Sequence, residues 1–211
     1  STKSDLVRLG FHQVNVIPEA IDEAPLASLP PKPLRPSLLF VGRLVPSKRP
    51  LHVYRSFRLL AKEFPKATLT FCGSGVHKVV GELEGEIVRD RLEKQVKLAG
   101  WVTGEEKKNY MREAWTIVVT SVREGWGLIV TEANSQGTPA VVYNIHGLRD
   151  AVKDGETGIV TSSNPEALAE GIRLLWSNPK LYEMMRKNAW EWSKEFSWEK
   201  TASAALKVIK S

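Results

Sequence analysis

The hydrophobic positions of this chain fall into two alternating kinds of run. Short blocks of consecutive β-branched and aliphatic residues occur at 37–44 (SLLFVGRL), 67–72 (ATLTFC), 96–102, 116–122 (TIVVTSV), 140–144 (AVVYN) and 158–161. Their lengths and their β-branched content predict strands. Between them, apolar residues recur at helical spacing over 51–64, about 79–93, 105–114, 130–135, 165–176, 181–196 and 199–209. Pro50 and Pro165 stand at helix starts, and Asn164-Pro165 reads as a cap followed by a first-turn proline. Strands that are apolar throughout and alternate with helices predict an α/β fold of three layers, Rossmann-like, with a parallel sheet covered on both faces. One further short strand is predicted at 14–17 (VNVI). The Pro- and Ala-rich stretch 18–36 (PEAIDEAPLASLPPKPLRP) lacks periodicity and reads as an extended connector.

Ligands of such sheets bind beyond the carboxyl ends of the strands, so the loops there carry the chemistry. After the first strand come Gly42, Arg43 and Lys48. Two cations before a helix suit a diphosphate, although a solvated basic loop is the better account of them taken alone. After the second strand, Gly73-Ser74-Gly75 permits a tight turn against a ligand; it matches neither a dinucleotide fingerprint nor a P-loop. The third loop belongs to REGWGLIVTEANSQGT, residues 123–138. Here Glu124, Gly125, Trp126 and Gly127 lie in a turn and Glu132 lies one turn inside the following helix, which Gly137 ends. Glycines that expose backbone N–H groups, beside a helix N-terminus, make an anion site with a carboxylate on either side. A plain turn acid and a surface helix acid are the competing reading.

The remaining composition narrows the choice. Hydrophobic residues make up 42% and charged residues 26%, the formal charge is +6, and there is one cysteine. That is a globular composition with no disulfide framework, and Cys72, inside an apolar run, reads as a core thiol. Basic residues are interspersed with acids, and neither a zinc-finger spacing nor a basic arm is present, so nucleic acid is not an expected partner. No run of 18 apolar residues exists, and His12, His52 and His77 lack partners at metal-ligand spacing. The absence of Asp-x-Asp leaves no obvious divalent-ion site, and the absence of G-x-S-x-G leaves no hydrolase elbow. Trp176, Trp190 and Trp198 are expected in the core, whereas Trp101 and Trp126 are loop residues within reach of a ligand. His146 follows a strand end but reads first as a satisfied loop histidine. The chain begins on serine without a signal-peptide pattern, as a processed or excised chain would.

Residues 123–160 resemble the Glu-x7-Glu segment of retaining, GT-B-fold glycosyltransferases of family 4, the glycosyl transferases group 1. Residues 40–49 (FVGRLVPSKR) resemble that family's Arg/Lys loop, and 14–22 (VNVIPEAID) its interdomain segment. The resemblance implies the C-terminal half of a GT-B fold. Residues 1–36 would be the tail of an N-terminal acceptor domain with the linker, and 37–211 the donor-binding domain. It implies that Arg43 and Lys48 bind the diphosphate of a nucleotide sugar and that Glu132 accepts from the ribose. Glu124 and the amides at Gly127, Leu128 and Ile129 would hold the sugar and its phosphate. The backbone at Trp101 and Val102 would meet the base, with Gly42 and Gly73 shaping the strand ends. Glu124, Arg43 and Lys48 would be the catalytic set for transfer with retention, with neither metal nor cofactor. The implied partners are the nucleotide sugar and the N-terminal domain of the same enzyme. Similar enzymes place the parent in the cytoplasm, some at a membrane face. His146-Gly147 stands where the family often has Gly-Gly, and Arg149-Asp150 where it often has Pro-Glu; both bear on sugar and acceptor preference. A non-catalytic nucleotide-sugar module or a GT-B-fold epimerase would share much of this pattern.

Overall fold

The computed structural model describes residues 2–210. Six strands, β1 (Ser37–Val41), β2 (Thr68–Cys72), β3 (Val96–Gly100), β4 (Thr116–Val119), β5 (Ala140–Tyr143) and β6 (Gly158–Thr161), form one sheet in the order 3-2-1-4-5-6. Every pairing is parallel. This is the doubly wound order, with its switch point between β1 and β4.

Alternation along the strands divides the core into two layers. Leu38 and Phe40 of β1, Val118 of β4, and Val141 and Tyr143 of β5 face one side. There they pack against α2 (Pro50–Ala61), α3 (His77–Arg89) and α6 (Pro165–Trp176), through Phe57, Leu83 and Ile172 among others. Leu39, Ile117, Val119 and Val142 face the other side, against α4 (Gly104–Glu113) and α5 (Leu128–Ser135), with Met111 and Val130 buried between. Both faces are covered, which is why the central strands β1, β4 and β5 are almost wholly apolar; the edge strand β3 carries the exposed Lys97. α7 (Pro179–Ser193) packs beside α5 and α6.

Local signals set the helix boundaries. Asn164 Oδ1 accepts from the Ala167 amide at 2.7 Å and Pro165 occupies the first helical position of α6. Thr103 and Glu106 form a reciprocal capping box at the start of α4. Gly137, at φ +71°, closes α5: its amide bonds Asn134 O at 2.9 Å and that of Thr138 bonds Ala133 O at 3.0 Å.

Two readings need correction, and one element was not anticipated. Residues 14–17 form no strand, because no strand of this sheet lies beside them to accept their hydrogen bonds. Trp198 is not in the core: it starts α8 (Trp198–Lys210), a helix without a buried residue, and is 56% exposed with its indole N–H on Asp22 Oδ1 at 2.8 Å. A seven-residue helix, α1 (Thr2–Arg8), precedes the predicted elements. The 18–36 stretch forms neither helix nor strand and is bonded to the domain along its length. The Ile21 amide reaches Phe196 O at 3.2 Å, and Trp190 donates to Leu26 O at 2.9 Å. The Arg186 guanidinium bonds Pro30 O, and Trp115 donates to Pro33 O at 2.6 Å. Aperiodic backbone thus finds its partners in tryptophan and arginine donors of the folded domain. Among the described residues no helix is long and apolar enough to cross a membrane.

Candidate functional site: a cleft at the switch point

A cleft of about 440 Å³ opens where β1 and β4 end. Its floor is made by Phe40, Val41 and Gly42 from β1 and its loop, and by Val119 and Ser121 from the β4 side. One wall is the turn Glu124–Gly127 with Leu128 and Ile129 of α5; Lys48 and Glu19 complete the lining. The two loops are tied together behind the cleft. The Val122 amide bonds Ser47 O at 2.8 Å and the Thr120 hydroxyl bonds Lys48 O at 2.7 Å. These bonds fix Lys48 against the start of the Glu124 turn.

The start of α5 is open. Gly127 precedes it with φ +92°, and no side chain caps it. The first amides of a helix have no intrahelical acceptor, so Leu128 and Ile129 direct free N–H groups and the positive end of the helix dipole at the cleft. Gly127 has to be glycine for two reasons. An L-side chain resists that φ, and a Cβ there would come within 2.8 Å of Leu148 Cδ2, itself fully buried. Gly125 is different: a Cβ on it would meet no protein atom within 4 Å. Gly125 lines the cleft and is exposed, so a side chain there meets open space.

The charges form two separate ion-paired groups. Lys48 Nζ is paired with Glu124 Oε1, and the Ser121 hydroxyl donates to the same oxygen at 2.6 Å. Glu132 lies on α5 beyond the cleft lining. Its Oε2 accepts from Lys107 of α4 at 2.7 Å, and Lys107 is also 2.9 Å from Glu23 Oε1. Burial pushes the Glu132 carboxyl above the usual range, and Lys107 pulls it back only in part. Burial alone would lower the Lys107 amine, but its hydrogen bonds to Glu132 and Glu23 outweigh that and hold it above the ordinary value.

The structure thus brings Gly42, Lys48, Glu124, Gly127, Leu128 and Ile129 to one cleft. Arg43 is exposed on the same loop, outside the lining. Gly73 sits at the end of β2, where a Cβ would run into Gly42 O at 2.0 Å, so it serves the close approach of two loops. Trp101, 76% exposed, and half-buried Val102 follow β3 on the same edge of the sheet without lining the cleft. Trp126 lines it and also packs on Phe196, at 5.6 Å between ring centroids. His146 is exposed, 3.5 Å from Arg149. Cys72 is buried, and burial pushes its thiol up to about 11, as befits a core residue. Sequence reasoning missed Ser121, Glu19, Glu23 and Lys107. Ser121 sits three residues before Glu124, a spacing that would have flagged it; the other three reach the site only through tertiary packing.

The family model for glycosyl transferases group 1 matches residues 27–192. The chain belongs to this family. Among curated relatives, an uncharacterised glycosyltransferase of Methanocaldococcus jannaschii is 30% identical over 171 residues, covering 81% of this chain and 46% of the relative. The chain spans about half or less of the length of the curated relatives it matches. Among solved structures, the pneumococcal O-GlcNAc transferase GtfA in complex with UDP and GlcNAc superposes with a TM-score of 0.82 at 22% identity, covering 99% of this chain and 43% of that one. The C-terminal domain of the group 1 protein LpcC from Francisella tularensis gives 0.72 at 20% identity, covering 77% of this chain and 87% of that domain. This group 1 member therefore has the fold of a C-terminal domain of a GT-B enzyme, as the resemblance implied.

Proposed function

We propose that this group 1 domain binds a nucleotide-diphospho-sugar at the β1/β4 cleft. In its full-length parent it would transfer the glycosyl group to an acceptor with retention and without a metal ion. The observation that carries the reading is the uncapped N-terminus of α5 facing Lys48 across a cleft at the switch point. A diphosphate there accepts from the Leu128 and Ile129 amides and takes Lys48 from Glu124, with Arg43 reaching in from the rim. The exchange keeps the Lys48 charge compensated, while Glu124 gives up its cation and needs the Ser121 hydroxyl and the ligand's hydroxyls in its place. Glu124, released by Lys48 and still held by Ser121, then turns its carboxylate to the sugar hydroxyls. Glu132 accepts from the ribose. The neighbour GtfA, crystallised with UDP and GlcNAc, supports a ligand of this class.

On this reading the acceptor oxygen bonds to the anomeric carbon on the face the phosphate leaves. The carbon–oxygen bond to the diphosphate breaks, and the acceptor proton passes to a leaving phosphate oxygen. No side-chain nucleophile is needed. Lys48, Arg43 and the α5 amides stabilise the charge that develops on the diphosphate. An acceptor must also be held in line, which a single half-cleft cannot do. Val7, Leu9, Phe11 and Val16, each at least half exposed, offer an apolar stretch for a further domain of the parent to cover.

The parent, assayed with its nucleotide sugar in excess chelator, should retain activity and give a product of unchanged anomeric configuration by proton NMR. Strict metal dependence would overturn the metal-free step, and an inverted product would overturn the same-face geometry.

A further inference from the structure

Glu132 is surrounded by groups that the proposed ligand does not account for. α5 supplies the carboxylate, α4 supplies Lys107, and the stretch before β1 supplies Glu23 with Asp22 beside it. The three principal side chains are mostly enclosed, at 17%, 22% and 10% exposure for Glu132, Lys107 and Glu23. One ammonium therefore stands between two carboxylates in a partly dry site. Glu132 Oε2 is occupied by Lys107 at 2.7 Å, which leaves Oε1 to accept from a ligand hydroxyl. Burial raises the Glu132 carboxyl, Lys107 opposes that rise, and Glu23 and Asp22 add to it. Among the described residues Lys107 is the cation that acts on Glu132, against burial, Glu23 and Asp22.

We infer that Lys107 is a positioning residue for the donor site: it orients Glu132, holds it ionised, and fastens it through Glu23 to the stretch that precedes β1. The inference rests on the reading that Glu132 accepts from ligand hydroxyls. It extends that reading to a residue that touches no ligand. A carboxylate accepts from a hydroxyl more strongly than the protonated acid does, so the consequence is a dependence on pH. Without Lys107, the carboxyl rises further and the hydroxyl contact is lost from the acid side at a higher pH. A lysine that merely pinned α4 to α5 would instead affect every ligand equally and at every pH.

The test uses the 211-residue chain as wild type, Lys107→Met and Lys107→Arg. The Glu132 carboxyl is titrated by carbon-13 NMR without ligand. Dissociation constants are then measured at pH 6 and pH 8 for inorganic pyrophosphate and for whichever of UDP, GDP and ADP the wild type binds. In Lys107→Met the Glu132 midpoint should move up by about one unit or more. Nucleotide affinity should fall further between pH 8 and pH 6 than it does in the wild type. Pyrophosphate binding should match the wild type at both pH values, and Lys107→Arg should restore the wild-type profile. An unmoved midpoint, or equal losses for nucleotide and pyrophosphate, would overturn the inference. If Lys107→Met loses cooperative unfolding, Lys107→Gln carries the same measurements. If the wild type binds no nucleotide, the donor-site reading fails, while the ligand-free titration still decides whether Lys107 controls Glu132.

Discussion

The two glycines of the 124–127 turn should respond to alanine in opposite ways. At Gly127 the backbone lies at φ +92° and a new Cβ would sit 2.8 Å from Leu148 Cδ2. Holding a non-glycine residue in the left-handed region costs about 1–2 kcal/mol. Leu148 is fully buried and can yield only by displacing its neighbours, which adds about 1–2 kcal/mol. Gly127→Ala should therefore destabilise the domain by about 2–4 kcal/mol, lowering Tm by about 5–15 °C for a chain of this size. At Gly125 a Cβ meets no protein atom within 4 Å, so Gly125→Ala should leave Tm within about 2 °C of the wild type. Gly125 lines the cleft, however, so the substitution should lower nucleotide affinity. Differential scanning calorimetry and ligand titration on both variants separate the two roles. If Gly127→Ala keeps the wild-type Tm, or if Gly125→Ala binds ligand as the wild type does, the account of this turn is refuted.

Three further outcomes follow from the same geometry. Glu132→Ala should weaken binding of a nucleoside diphosphate and leave inorganic pyrophosphate unaffected; equal losses in calorimetry would mean that Glu132 does not read the ribose. Cys72 should resist alkylation near pH 8 in the native chain and react once the chain is unfolded, because it is buried with its thiol raised to about 11. The sign is that of an acid raised on folding: its contribution is complete below the ordinary thiol value and is lost as pH rises through it toward 11. Rapid native labelling would contradict this. Asn164→Ala, which removes the bond to the Ala167 amide, should cost about 1 kcal/mol and lower Tm by about 2–4 °C, and an unchanged melting curve would count against the cap.

The central strands were legible because β1, β4 and β5 are buried on both faces and leave short apolar runs bounded by turn residues, whereas the edge strand β3 was marked mainly by its place between two helical patterns. The 14–17 segment shows the limit of that signal: VNVI has strand composition, but a strand exists only where a neighbour accepts its bonds. Trp198 shows another, since periodicity along α8 marks an apolar face without saying what covers it. At the site, Gly42, Lys48, Glu124 and the start of α5 could be read from sequence, because strand ends in a parallel sheet converge by topology. Lys107 and Glu23 could not. Each is one charge among many on a polar surface stretch, and only the packing of α4 and the 18–36 stretch against α5 brings them to Glu132. The Ser121 hydroxyl is intermediate: close in sequence to Glu124, it takes on meaning once Lys48 is seen on the same oxygen.

The central claim is that the uncapped α5 N-terminus and Lys48 together hold the diphosphate of a nucleotide sugar. Calorimetric titration of UDP, GDP and ADP into the wild-type chain and into Lys48→Met tests it most directly. At least one nucleotide should bind the wild type with a dissociation constant below ~1 mM and bind Lys48→Met at least about tenfold more weakly. Absence of binding by all three, or equal affinity in the two proteins, would contradict it.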